Sequence, residues 1–126
     1  MENPRSASPP FVILIVEDEY LVAMELTQIL EDSGYIVVGP AATVAAALAL
    51  LNTTSPSACV LDVNLRGEVS AQVAWALKER RVPFLLSSGY KQETINSEAA
   101  FDGVANIGKP AQPDHLVSAL ASLLAP

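Results

Sequence analysis

Apolar and polar positions along this chain fall into short blocks of two alternating kinds. Residues 11–16 (FVILIV) are an unbroken apolar run rich in β-branched side chains, the pattern of a strand covered on both faces. Residues 19–33 then place Val22, Leu26, Ile29 and Leu30 on one side of a helix, which Gly34 ends. Residues 35–38 read as a second strand, closed by Gly39 and Pro40. Thr43 caps a helix with Val44, Ala47, Leu48 and Leu51 facing inward. Residues 58–61 (ACVL) give a third strand ending at Asp62, and a loop through Gly67 leads to a helix over 70–81 with Val73, Ala74 and Leu77 inward. Pro83 opens a fourth strand at 84–87. A weaker helix follows at 93–100, then a fifth strand at 104–107. The last helix, 114–124, carries Leu116, Val117, Leu120 and Leu123 as its stripe.

Five strand–helix units in succession predict an α/β fold, a five-stranded parallel sheet with helices on both faces. The domain is expected to span residues 11–125. Residues 1–10 (MENPRSASPP) read as a disordered arm, and too few residues follow Leu124 for an output domain. A chain of 126 residues can bury about two-thirds of its unfolded surface. Its 51% hydrophobic and 17% charged content argues against disorder. Fourteen acids against seven bases, a net charge of −7, argue against direct binding to nucleic acid. The single cysteine, Cys59, excludes an internal disulfide and suits a reducing compartment. With no secretory pattern and no apolar run near the roughly 20 residues of a membrane helix, the expected location is the cytoplasm, with no membrane partner.

The candidate chemistry lies at the strand ends. Glu17 and Asp18 follow the first strand, Asp62 the third, Ser88 the fourth, and Lys109-Pro110 the fifth. In an open parallel sheet, ligands bind outside the carboxyl ends of the strands. Carboxylates gathered there raise one another's pKa unless positive charge relieves them. Lys109 supplies one such charge, and a hard divalent cation, Mg²⁺ (or Mn²⁺), supplies the rest. With Asp62 as nucleophile, Asp18 and the metal as positioning groups, and Ser88 and Lys109 as oxygen binders, the set meets the needs of phosphoryl transfer. Singly, each residue has a plain alternative: helix-start acids, turn residues, a surface lysine. Glu19 reads as a solvated first-turn residue, Cys59 as a small buried strand residue, Trp75 as packing or surface, and His115 as exposed.

The motifs VEDE (16–19), LDVNLRGE (61–68), SSGY (87–90) and GKP (108–110) resemble the receiver domain of two-component response regulators, most nearly stand-alone alphaproteobacterial receivers. The resemblance covers residues 11–124. It implies a flavodoxin-like, doubly wound (βα)5 fold. It implies that Asp62 accepts phosphate from a phosphohistidine on a sensor histidine kinase or histidine phosphotransfer protein, and that an unidentified downstream protein reads the change. It implies metal ligation by Asp18, Asp62 and the backbone carbonyl of Asn64, with Glu17 acting through water. Ser88 and Lys109 would bind the phosphoryl group, and the Lys109-Pro110 bond would be cis. Such a domain modifies only itself and is not a turnover enzyme. A phosphorylation-dependent homodimer is compatible with the pattern.

Two positions depart from the family pattern. Asn106 stands where an aromatic is usual, three residues before the lysine, so Tyr90 is left as the residue to replace it or to shade the phosphate. The segment after Ser88 is polar, and its helix is expected to be short or mobile. Alternatives are a pseudo-receiver used only for contacts and a phosphatase of the haloacid-dehalogenase kind. The second is disfavoured because the acid pair precedes the nucleophile and Asp62-Val63-Asn64 lacks a second aspartate.

Overall fold

A computed structural model describes residues 10–89 and 92–125. The elements run β1 (Val12–Val16), α1 (Tyr20–Asp32), β2 (Ile36–Ala41), α2 (Val44–Thr53), β3 (Ala58–Leu61), a hairpin of β4 (Asn64–Leu65) and β5 (Glu68–Val69), α3 (Ala71–Glu79), β6 (Phe84–Leu86), α4 (Gln92–Asn96), a 3-10 turn (Ala99–Phe101) and α5 (Pro113–Leu124). The main sheet is parallel, in the order β2-β1-β3-β6. Residues 1–9 of the expected arm lie outside the described residues. No helix among the described residues is long and apolar enough to cross a membrane.

The period of two within each strand divides the core. Ile13, Ile15, Ala58, Val60 and Leu85 pack with Leu26, Leu30, Leu116 and Leu120 of α1 and α5. Leu14, Val16, Cys59, Leu61 and Leu86 pack on the other side with Ala47, Leu51, Val73 and Leu77 of α2 and α3. β1 and β3 are thus apolar throughout because both faces are covered. The Thr43 cap forms as expected, its hydroxyl accepting from Ala46 N–H at 3.0 Å. Cys59 is fully buried.

The fifth strand is the main departure. Where 104–107 was expected to pair along β6, the described residues hold one parallel bridge, Leu86 with Asn106. Leu86 N–H donates to Ala105 C=O at 2.8 Å and Ile107 N–H donates to Leu86 C=O at 2.9 Å. Beyond that rung the Asn106 side chain, not the backbone, takes the next polar groups of the neighbouring chain. An asparagine side chain that competes for backbone partners ends a ladder in this way. The weak helix at 93–100 likewise divides into α4 and the 3-10 turn, with Ile95, Ala100 and Phe101 buried.

β2 extends past its expected end, through Gly39-Pro40 to Ala41, and its register with β1 shifts between Leu14 and Val16. Gly39 has φ +97°, and a Cβ there would lie 2.7 Å from the Ile15 carbonyl oxygen. That close passage lets Glu17 N–H donate to Ala41 C=O at 2.9 Å, which fixes the start of the acid loop. Gly39→Ala is expected to lower unfolding free energy by about 2–3 kcal/mol, from a left-handed φ and a contact with rigid backbone. Urea unfolding measures it; a loss below about 0.5 kcal/mol, the usual range of a neutral surface change, would mean that β1 and β2 can part without cost.

Candidate functional site

The sheet delivers its acids from adjacent central strands. Glu17 and Asp18 leave β1, and Asp62 leaves β3, whose N–H is tied to Val16 C=O at 2.9 Å. One carboxylate oxygen from each of Glu17, Asp18 and Asp62 lies within 4.8 Å of the others. Lys109 reaches across from beyond β6, its Nζ 3.1 Å from Asp62 Oδ2, 3.1 Å from Glu17 Oε1 and 2.8 Å from Glu19 Oε1. Asp18, Glu19, Asp62, Asn64, Ser88, Gly89 and Lys109 line an open cleft of about 350 Å³. The five residues singled out at strand ends therefore meet at one edge of the sheet. Lys109-Pro110 is cis, as is Gly39-Pro40.

Electrostatics separate the acids. Glu17 is buried, and burial, reinforced by the charge of Asp62, pushes its carboxyl up to about 7 despite hydrogen bonds from Glu19 N–H and Lys109. Asp18 is slightly desolvated, yet the Arg66 N–H at 2.9 Å, with help from Glu17 and Lys109, holds it below the usual aspartate range. Lys109 also loses solvation, but its hydrogen bonds to Glu19, Asp62 and Glu17 outweigh that loss and raise it above the usual lysine range. One positive charge thus faces three acids, and a buried oxygen, Glu17 Oε1, accepts no well-aligned hydrogen bond among the described residues. An all-oxygen donor set with surplus negative charge, including a buried oxygen that faces the Lys109 ammonium at 3.1 Å without a well-aligned hydrogen bond, fits a hard divalent cation.

Backbone supports complete the cleft. The β4–β5 hairpin turns at Arg66 and Gly67, both with positive φ, and Asn64 Oδ1 accepts from Gly67 N–H at 2.9 Å. That turn aims the Arg66 N–H at Asp18 and joins the two acid-bearing loops. Ser70 is fully buried; its hydroxyl donates to the Asp62 carbonyl at 2.6 Å and its N–H to Val63 C=O at 2.8 Å. On the far side, Ser87 Oγ donates to Gly108 C=O at 3.3 Å, and Asn106 bonds the backbone of Ser88.

Two of these residues were missed from sequence. Glu19, read as a solvated first-turn acid, is exposed but shares Lys109 with the site. Its position one residue past the acid pair was the available signal. Ser70 looked like a helix start, yet its hydroxyl makes no cap bond and braces Asp62 instead. His115 is exposed, as expected, and Trp75 is half exposed with the Lys78 ammonium 5.0 Å from its ring centre. Tyr90 lies outside the described residues.

Comparison with known proteins bears on the family and the fold. A family model for the response regulator receiver domain matches residues 13–121. The chain is 28% identical over 116 residues to the transcriptional regulatory protein PdtaR of Mycobacterium tuberculosis, covering 90% of this chain and 57% of that protein. It is 30% identical over 115 residues to the phyllosphere-induced regulator PhyR of Methylorubrum extorquens, covering 89% and 43%. The chain therefore spans about half the length of these curated relatives. Among solved structures, SdrG from Sphingomonas melonis Fr1 is similar at 41% identity and TM-score 0.80, over 94% of this chain and 99% of that one. The BeF3-activated conformation of SdrG from Pseudomonas melonis Fr1 matches at 41% identity and TM-score 0.76, over 90% and 96%.

Proposed function

Because this chain belongs to the response regulator receiver domain family of two-component signalling, we propose that Asp62 is its phosphoacceptor, charged by a sensor histidine kinase or a histidine phosphotransfer protein. The observation that carries the reading is the convergence of Asp62 with two further acids and Lys109 on one open cleft. The Asp62 carboxylate attacks the phosphorus of the phosphohistidine in line with the bond to the imidazole nitrogen. That P–N bond breaks as the new P–O bond forms, and the imidazole leaves with the electron pair and takes up a proton. Lys109 neutralises one phosphoryl oxygen, and the Ser88 hydroxyl holds another. Asp18, Asp62 and the Asn64 carbonyl, with Glu17 through water, are the groups suited to hold Mg²⁺ or Mn²⁺. When bound, that cation supplies charge neutralisation at the phosphoryl oxygens. Hydrolysis of the acyl phosphate returns Asp62 to its free state, so the domain acts on itself and not on a free substrate.

Phosphorylation then alters the binding of a downstream protein or sends the phosphoryl group onward to another histidine. Tyr20 and Leu21 offer such a partner an exposed apolar foothold next in sequence to the acid loop. They begin α1 directly after the acids and are 70% and 74% exposed.

The test follows backbone amide shifts during addition of Mg²⁺ and then beryllofluoride, the phosphoryl mimic named for the similar SdrG structure. Shifts are expected around Asp62, Ser88 and Lys109, with beryllofluoride effective only when Mg²⁺ is present. No Mg²⁺-dependent response would sink the phosphoacceptor reading in favour of a contact-only pseudo-receiver. Multiple-turnover hydrolysis of phosphomonoesters would favour a phosphatase.

A further inference from the structure

Asn106 uses its side chain as an extra rung of the sheet. Its backbone forms the single bridge to Leu86. Its carboxamide then reaches the residue two further along that neighbour: Ser88 N–H donates to Asn106 Oδ1 at 3.1 Å, and Asn106 Nδ2 donates to Ser88 C=O at 3.2 Å. The same Oδ1 accepts from Gly108 N–H at 3.0 Å. The assignment of oxygen and nitrogen follows from the network, since the flipped amide would point its NH₂ group at two N–H donors. A carboxamide carries the donor and acceptor of a peptide group on one side chain. Aspartate lacks the donor, and an aromatic ring lacks the pair.

The two bonds to Ser88 join the loop that presents Ser88 to the loop that presents Lys109, and the third holds the carboxamide within its own loop. With Ser87 Oγ bonded to Gly108 C=O, residues 87–88 and 106–108 are laced together side by side. We propose that Asn106 is a positioning residue that sets Ser88 and Lys109 as one preformed unit for the phosphoryl group, a role that rests on the phosphoacceptor reading of Asp62. Holding both groups in place before the ligand arrives removes the cost of ordering them at binding. The clamp also constrains motion. Any displacement of the Ser88 backbone toward Asp62 must break both of its bonds to Asn106 or carry residues 106–108 with it.

Asn106→Ala removes the clamp without touching Glu17, Asp18 or Asp62. With saturating Mg²⁺, beryllofluoride affinity is expected to fall about tenfold, while affinity for Mg²⁺ alone stays within about twofold of the wild type. In the unmodified protein the Ser88 and Gly108 amides are expected to exchange slowly with solvent, and both become fast in the variant. Unchanged beryllofluoride affinity in Asn106→Ala would overturn the inference and leave the Asp62 reading standing. A parallel loss of Mg²⁺ affinity would also overturn it, because the variant would then have loosened the whole cleft. Failure of the wild type itself to bind beryllofluoride would defeat the underlying phosphoacceptor reading instead.

Discussion

Asp62→Asn is expected to abolish covalent phosphorylation. With Mg²⁺ and a small phosphodonor, intact-mass analysis should find one added phosphoryl group on the wild type and none on the variant, a loss of at least about a thousandfold in rate. The substitution keeps the shape of the side chain and removes only its charge. Folding should survive it. Asp62 is one of three acids facing Lys109, and its charge helps drive the Glu17 carboxyl up to about 7. Removing that charge relieves Glu17, so the melting temperature should hold or rise even as phosphorylation disappears. Phosphoryl uptake that persists in Asp62→Asn would place the acceptor elsewhere on the chain.

Lys109→Ala should have the largest effect on stability. Its ammonium is the cation shared by Glu17, Glu19 and Asp62, and the Glu17 side chain has 1% exposure. Breaking a buried ion pair from one side costs about 3–5 kcal/mol; because Lys109 is partly exposed, about 2–3 kcal/mol is expected here. For a domain of this size that is a fall of roughly 8–12 °C in melting temperature. The pH dependence has a definite sign. Glu17 already titrates near 7 when folded against 4.5 for an unperturbed carboxyl, so its ionisation subtracts stability progressively between those values. Without Lys109 its folded pKa moves higher still, so the subtraction continues above pH 7, where the wild type has levelled off. The gap between variant and wild type should therefore widen from pH 6 to pH 8.5. Adding Glu17→Gln to Lys109→Ala should recover part of the loss at pH 8.5. A gap independent of pH, with no recovery, would show that Lys109 stabilises by packing of its stem and not by charge.

The strands were legible because burial on both faces demands continuous apolar runs, and FVILIV and ACVL have no other reading of comparable strength. The acids, Ser88 and Lys109 were legible because each closes such a run. What sequence did not disclose depends on reach and not on pattern. Whether Glu19 joins the site is decided by where the Lys109 side chain ends, 90 residues away. Ser70 and a helix-capping serine look alike until the Asp62 carbonyl is seen at 2.6 Å. The hairpin of β4 and β5 has only two residues per strand, one of them Asn and one Glu, too short for any period to register. The fifth strand was overread because apolar content at Val104 and Ile107 says nothing of the asparagine between them, whose side chain replaces the ladder it interrupts.

The order of the strands divides the cleft in time as well as in space. β1, β2 and β3 are neighbours drawn from the first half of the chain, so the scaffold of Glu17, Asp18 and Asp62 is complete before β6 has been synthesised. Ser88 and Lys109 arrive with the second half, on the edge of β3. A nascent chain, or one whose later half has opened, presents crowded acids without their lysine. Electrostatic attraction then adds to apolar burial in drawing the C-terminal half into place. Under the phosphoacceptor reading of Asp62 proposed above, completion of the fold and readiness to take a phosphoryl group become one event.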